Sequence, residues 1–113
     1  MHEFGIAESL LNTALETAAR AEASKIEQVN LRIGLLAGVV EEALTFAFEA
    51  LSEDTPAQGA RLVIEPIPVT CYCETCAAFF EPPRGSYRCP TCQAPSRSVK
   101  SGRELQLISI EVS

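Results

Sequence analysis

The chain has 113 residues, enough for one domain of ordinary size or for one small domain that carries a smaller one. A hydrophobic fraction of 47% supplies a core and excludes a disordered chain, and no apolar run approaches the roughly 18 residues that cross a membrane. The net charge is −6, and no charged segment leads into an apolar one as in a secretory signal, so we expect a soluble, cytoplasmic protein.

The chain opens on Met1, His2 and Glu3, and His2 is its only histidine. A terminal histidine is usually solvated and inert. Here, however, the α-amine of Met1, the amide nitrogen of His2 and its imidazole Nδ1 can chelate one ion through fused five- and six-membered rings. The amide of Glu3 can supply a fourth nitrogen, while its carboxylate also suits the positive end of a helix. Square-planar nitrogen ligation is a preference of Ni(II) and Cu(II), not of zinc, so these residues form a candidate site for either of the two ions.

The next segment has the pattern of an amphipathic helix followed by a strand. Apolar residues recur at helical spacing over 4–20, which predicts a helix with one buried face. The residues expected on that face are Ile6, Leu10, Leu11, Ala14, Leu15 and Ala18. Residues 28–33 then alternate between polar and apolar, as in a half-buried strand whose inward residues are Val29, Leu31 and Ile33.

A second helix and a second strand are predicted next. The helix covers 40–52, and the residues expected to be buried on it are Val40, Ala43, Leu44, Ala47 and Leu51. A strand follows over 61–65. We expect it to end at Pro66 and Pro68, because proline cannot donate to a sheet.

Two Cys-x-x-Cys pairs, Cys73 with Cys76 and Cys89 with Cys92, follow in a stretch that contains proline and glycine. Each pair can place two thiolates on one edge of a tetrahedron, and a hairpin joins the two edges around zinc at Zn–S distances of about 2.3 Å. The spacing is close to the two-pair zinc signature. Four thiolates leave no open position for water or substrate, so the sequence predicts a structural Zn(II) site rather than a catalytic one.

Two disulfides and a rubredoxin-like iron site are the alternatives for these cysteines. The odd total of five cysteines and the lack of a secretory signal argue against disulfides. Iron takes the same ligands, and the sequence does not distinguish it from zinc. The fifth thiol, Cys71, lies two residues before Cys73, on the same face of an extended chain at roughly 6–7 Å. We interpret Cys71 as a spare thiol, with ligand exchange as the alternative.

A last strand over 104–112 completes the predicted fold. Its alternation changes phase at Leu107 and Ile108, so either both faces are covered there or a bulge shifts the register. We predict an α+β fold with two helices on a three-stranded sheet and a four-cysteine, zinc-ribbon-like module inserted before the last strand. The expected domains are a nickel-binding α/β domain, residues 1–69 plus 99–113, and a zinc module, residues 70–98.

A nucleic-acid or protein-interaction module is the alternative function. Five basic and two acidic side chains between Thr70 and Arg103 give a local excess of +3, so the remainder of the chain carries −9. Four thiolates around a divalent ion add −2 to the basic region, and the acidic remainder would repel phosphate, which argues against nucleic acid. An enzyme is not expected, because one terminal histidine and a saturated metal offer neither an open metal position nor a base–nucleophile pair.

The combination of these features resembles the HypA/HybF family of nickel metallochaperones. The resemblance rests on Met1-His2-Glu3, a helix, a strand ending Arg32-Ile33-Gly34 and the late pair of Cys-x-x-Cys motifs, and it covers the whole chain. It implies delivery of Ni(II) for maturation of nickel-iron hydrogenase and, in some organisms, of urease. It also implies nickel at Met1, His2 and Glu3, and structural zinc at Cys73, Cys76, Cys89 and Cys92.

The partners implied by the resemblance are a HypB-type GTPase and the large subunit of the hydrogenase. Neither nucleic acid nor a membrane is an expected partner. The sequence leaves the client enzyme open, and it is compatible with a monomer or a homodimer.

Overall fold

The computed structural model describes residues 2–83, 86–96 and 98–113 of the chain. Its elements in chain order are α1 (Glu3–Arg20), β1 (Ile26–Gly34), α2 (Glu41–Ser52), β2 (Arg61–Ile67), β3 (Thr70–Cys73), β4 (Ala78–Phe80), β5 (Ser98–Ser101) and β6 (Leu105–Val112). The strands form two three-stranded sheets, with orders β2-β1-β6 and β4-β3-β5. The predicted α+β class, the three-stranded sheet and the inserted small module are confirmed. Within the described ranges, no helix is both long and apolar enough to cross a membrane.

The chain divides into two compact units. The first contains Met1–Arg32, Gly38–Glu65 and Gln106–Ser113, and the second contains Ile33–Ala37 and Pro66–Leu105. The division into functional domains made from the sequence, 1–69 plus 99–113 and 70–98, stays a prediction.

The core of the first unit follows largely from the apolar patterns of α1 and β1. On α1 the buried side chains are Ala7, Leu10, Leu11, Ala14 and Ala18, while Ile6 and Leu15 are only half-buried. Val29 and Leu31 of β1 are buried, as the alternation predicted. Thr13 and Thr17 lie on the exposed side of α1, where their hydroxyls donate to the carbonyls one turn earlier.

The buried face of α2 differs from the prediction. Val40 and Ala43 were expected to be buried, but both are exposed, and Val40 lies before the first helical residue. The buried stripe follows Leu44, Phe48 and Ser52, which are spaced four residues apart and so stack along one face. Because the large ring of Phe48 is turned inward, Ala43, about 100° away from Leu44, faces outward.

One expectation about the strands was also wrong, and one of the two alternatives for the last strand is excluded. β2 continues through Pro66 to Ile67. It tolerates proline because it is an edge strand, where the missing N–H interrupts no ladder. At the phase change of β6 Ile108 is 45% exposed, so the explanation that both faces are covered fails. β6 is the opposite edge strand, which leaves its apolar side chains partly open.

The second unit is built on the hairpin of β3 and β4, with β5 on the other side of β3. In the antiparallel hairpin Cys71 pairs with Phe80 and Cys73 pairs with Ala78. Residues 33–37 belong to this unit through backbone hydrogen bonds: Gly34 N–H donates to Glu104 O (2.8 Å), Leu35 N–H to Ile67 O (3.0 Å) and Leu36 N–H to Gly102 O (2.6 Å).

Candidate metal-binding sites

The four cysteines of the two motifs come together in the second unit. Each offers one sulfur, and these four atoms all lie within 4.8 Å of one another. Cys73 Sγ lies 3.6 Å from Cys92 Sγ, and Cys76 Sγ lies 3.9 Å from Cys89 Sγ. A tetrahedron with Zn–S bonds of about 2.3 Å has edges of about 3.8 Å. The cluster therefore fits a structural zinc site, and these two contacts join one motif to the other.

Each motif forms a tight knuckle whose backbone amides point at sulfur. Cys76 N–H donates to Cys73 Sγ at 3.4 Å, and Thr91 N–H donates to Cys89 Sγ at 3.4 Å. The residue directly after each motif has a left-handed backbone, with φ of 52° at Ala77 and 65° at Gln93. This conformation turns the chain back after the second cysteine and is uncommon for residues other than glycine. The two motifs thus share one local conformation, with an amide-to-sulfur hydrogen bond inside the motif and a left-handed residue after it.

Backbone amides around Cys89 lower the pKa of its thiol and so favour the thiolate. Backbone N–H groups of Cys92 and Thr91 lower the pKa of the Cys89 thiol to about 6. The neighbouring Cys92 sulfur, followed by desolvation, raises the pKa of Cys76 to about 12. Two thiols with such different proton affinities share one cluster. A divalent cation removes this conflict, because it holds all four sulfurs as thiolates.

Cys71 is separate from the cluster. In the described part of the chain, the four clustered cysteines form the group that could hold a metal ion, and Cys71 is not a member. Its side chain is fully buried on β3, on the same face as Cys73.

The nucleic-acid alternative rested on the basic residues of this region. One of them, Arg88, donates a guanidinium N–H to Gln93 O at 3.1 Å. Two others, Arg84 and Arg97, lie outside the described residues.

The candidate nickel residues lie at the start of α1. Met1 lies outside the described residues, and His2 is exposed. The first hydrogen bond of the helix runs from Ile6 N–H to His2 O (3.1 Å), so the helix ladder does not use the amides of His2 and Glu3. Binding of an ion by these two nitrogens would therefore break no hydrogen bond of the helix ladder.

The carboxylate of Glu3 has a structural partner that the sequence did not reveal. Its Oε2 accepts a hydrogen bond from Val40 N–H at 3.1 Å, at the start of α2. This bond, followed by one from its own backbone N–H, lowers the pKa of Glu3. No side chain of α2 itself caps that helix, so Glu3 does so from α1. A contact between residues 37 positions apart has no local sequence signal.

A family model described as hydrogenase/urease nickel incorporation, metallochaperone, HypA matches residues 1–112. The hydrogenase maturation factor HypA of a Picosynechococcus species is 46% identical over 112 residues, which are 99% of each chain. The factor of the same name from a Roseiflexus species is 45% identical over 112 residues, covering 98% of this chain and 91% of the relative.

Solved structures agree with these matches. The solution structure of the Ni metallochaperone HypA from Helicobacter pylori has a TM-score of 0.68 and 29% identity, covering 99% of this chain and 97% of that one. Another solution structure of a HypA protein has a TM-score of 0.76 and 30% identity, covering 100% of this chain and 97% of that one.

Proposed function

The chain belongs to the HypA family of hydrogenase and urease nickel-incorporation metallochaperones, and we propose from that premise that it binds Ni(II) at its N-terminus and passes it to an immature nickel enzyme. The proposed ligands are the free α-amine of Met1, the amide and imidazole nitrogens of His2, and the amide of Glu3. The observation that carries the proposal is the family match, which extends over residues 1–112 and so includes all three. Nickel is the cargo of this site.

The backbone at the start of α1 supports this ligand set. The amides of His2 and Glu3 are spared by the helix ladder. The carboxylate of Glu3 accepts from Val40 N–H and from its own backbone N–H, so the amide gives up the second of these contacts when it loses its proton to bind the metal. Retention of nickel by Glu3→Gln, which keeps the amide, would support this assignment, whereas loss of nickel would make the carboxylate the ligand.

Release follows from the chemistry of the proposed ligands. The amine has an ordinary pKa of about 8 and must be neutral to bind, and the amides must lose their protons. Acid therefore favours release, because protons compete with Ni(II) at every nitrogen. An exposed site at a chain end also lets a partner replace the ligands one at a time, which a buried cage would prevent.

We assign the four-cysteine cluster to structural Zn(II), held by Cys73, Cys76, Cys89 and Cys92. Four sulfurs complete the coordination sphere, so the ion holds the two knuckles together and takes no part in nickel exchange. Iron would take the same ligands, and metal analysis of the purified protein decides between them.

The proposed partners are a HypB-type GTPase and the hydrogenase large subunit, acting in the cytoplasm. The outer side of α1 is the proposed docking face for the GTPase, because it begins at the nickel residues. Glu8, Asn12, Glu16 and Arg20 are all exposed there. Whether the client is hydrogenase or urease is decided by measuring both activities in cells that lack this protein.

The chelate is tested by nickel titration of the purified protein, followed by intact mass and by the absorption of planar Ni(II). His2→Ala and a single residue added before Met1 should each abolish this species while zinc stays at one per chain. The extension keeps every side chain and converts only the amine into an amide. Unchanged nickel binding by the extended protein would refute the chelate.

A further inference from the structure

A groove in the first unit lies apart from the two metal sites. It consists of two adjoining cavities between α2 and β2, of about 490 and 440 Å³. The residues that line the larger cavity are Glu41, Glu42, Thr45, Phe46, Glu49, Leu62 and Ile64. Thr45, Glu49 and Leu62 line both cavities, so the two join into one channel, which we name the α2–β2 groove.

The floor of the α2–β2 groove is apolar and open. Phe46 is 74% exposed, whereas Phe48, two residues later on α2, is buried in the core. Leu62 and Ile64 alternate along β2 on one face and are only half-buried. An exposed aromatic ring beside two uncovered aliphatic side chains is typical of a protein-binding surface.

One wall of the groove is a sheet edge. β2 is an outer strand of its sheet, so among the described residues the backbone groups on its outer side have no strand partner. Beyond the pairing within the sheet, the backbone hydrogen bond that β2 makes in the described residues is the one from Leu35 N–H to Ile67 O. Such an edge can accept one more strand.

The other wall is acidic. Glu41, Glu42 and Glu49 lie along it, and none of them forms an ion pair within the residues described. The basic residue at one end, Arg61, donates to Gln28 Oε1 at 2.7 Å. A second copy of this chain would bring the same carboxylates against each other, which disfavours self-association through this groove.

We propose that the α2–β2 groove binds an extended segment of a partner protein, in which every second side chain, on the face turned toward α2, is apolar at the centre of the segment and lysine or arginine at its ends. The segment adds to the edge of β2 through its backbone and places its apolar side chains on Phe46, Leu62 and Ile64. Its basic side chains then meet the glutamates of α2. β2 has seven residues, about 23 Å at 3.3 Å each, so the segment is six or seven residues long. The proposal is independent of nickel binding.

The probe is a capped, fluorescent heptapeptide with lysine at positions 1 and 7, isoleucine at 3 and 5, and threonine at 2, 4 and 6, so that the lysines and isoleucines share one face. Binding is followed by anisotropy. Phe46→Ala and Glu49→Lys should each weaken binding about fivefold or more, because they remove an apolar anchor and reverse a charge in the groove. Glu22→Lys, the matched control, makes the same charge change at an exposed position just after α1 and should alter the affinity less than twofold. Phe46→Ala should keep its melting temperature, since the ring is mostly exposed.

A second peptide, N-methylated at alternate residues on the edge facing β2, tests strand addition. It keeps every charge and side chain but cannot form the backbone ladder, so its affinity should fall about tenfold. Equal losses from Glu22→Lys and Glu49→Lys, with normal binding of the methylated peptide, would mean diffuse charge attraction and would overturn the proposal. So would the absence of binding at millimolar peptide, or a wild-type dimer that Phe46→Ala dissociates.

Discussion

The contact between Gly34 and Gly102 gives the sharpest prediction of stability. A Cβ built on Gly34 would overlap the carbonyl carbon and oxygen of Gly102 and lie 2.5 Å from Arg103 N. All of these are backbone atoms, so no side chain can swing aside. Gly34→Ala must therefore push the two segments apart and weaken the hydrogen bonds Leu36 N–H to Gly102 O and Gly34 N–H to Glu104 O.

The expected loss is several kcal/mol. Inserting a methyl group into a packed site costs about 1–3 kcal/mol, and each weakened hydrogen bond contributes about 0.5–1.5 kcal/mol. The total, about 2–6 kcal/mol, is a large part of a typical domain stability of roughly 5–15 kcal/mol. At about 4 °C or more per kcal/mol, the melting temperature should fall by at least about 8 °C.

The assay can isolate the affected unit. The two tyrosines of the chain, Tyr72 and Tyr87, both lie in the second unit, so tyrosine fluorescence of the zinc-loaded protein follows its melting. Gly5→Ala is the matched control, because nothing lies within 4 Å of its Cβ position and it sits inside α1. By circular dichroism that change should stabilise the protein by up to about 1 kcal/mol. A Gly34→Ala melt within about 2 °C of wild type would refute the close-approach argument.

Three further predictions concern the cysteine cluster. Cys76→Ser should lose bound zinc and disorder residues 70–98 while the helical circular dichroism persists; loss of all helix would argue against a separate module. Cys71→Ser should keep zinc at one per chain by elemental analysis, and a drop would make Cys71 a ligand. Ala77→Gly should relieve the left-handed backbone and stabilise the zinc-bound state by up to about 1 kcal/mol, seen as slower loss of zinc to a chelator. Ala78→Gly, on the adjacent strand, should speed that loss instead, and equal effects would refute the assignment to backbone strain.

Local patterns in the sequence predicted most of the fold. The period of α1, the alternation of β1 and the spacing of the two cysteine motifs each depend on neighbouring residues, so one segment contains the whole signal. The same is true of the closed four-sulfur cluster, since each motif supplies one edge of the tetrahedron.

The features that the sequence missed depend on the position of an element in the fold. Pro66 reads as a strand breaker until β2 is known to be a sheet edge, where no N–H is needed. Phe46 and Phe48 are the same residue type, two positions apart. Only the orientation of α2 in the fold determines that Phe46 is exposed and Phe48 is buried. The bond from Val40 to the Glu3 carboxylate joins two helix starts that no short-range rule connects.

The assignment of residues 33–37 to the second unit affects how this protein can be cut. Because that short segment is flanked by parts of the first unit, the chain passes between the units four times, after Arg32, Ala37, Glu65 and Leu105. A fragment made of 66–105 alone would lack the donors that bond to Ile67, Gly102 and Glu104. If this fragment were expressed alone, those three carbonyl oxygens would be exposed to solvent, because residues 34–36 would no longer bond to them. Cleavage of one of the four connections by a protease, by contrast, would leave the two units joined by the other three.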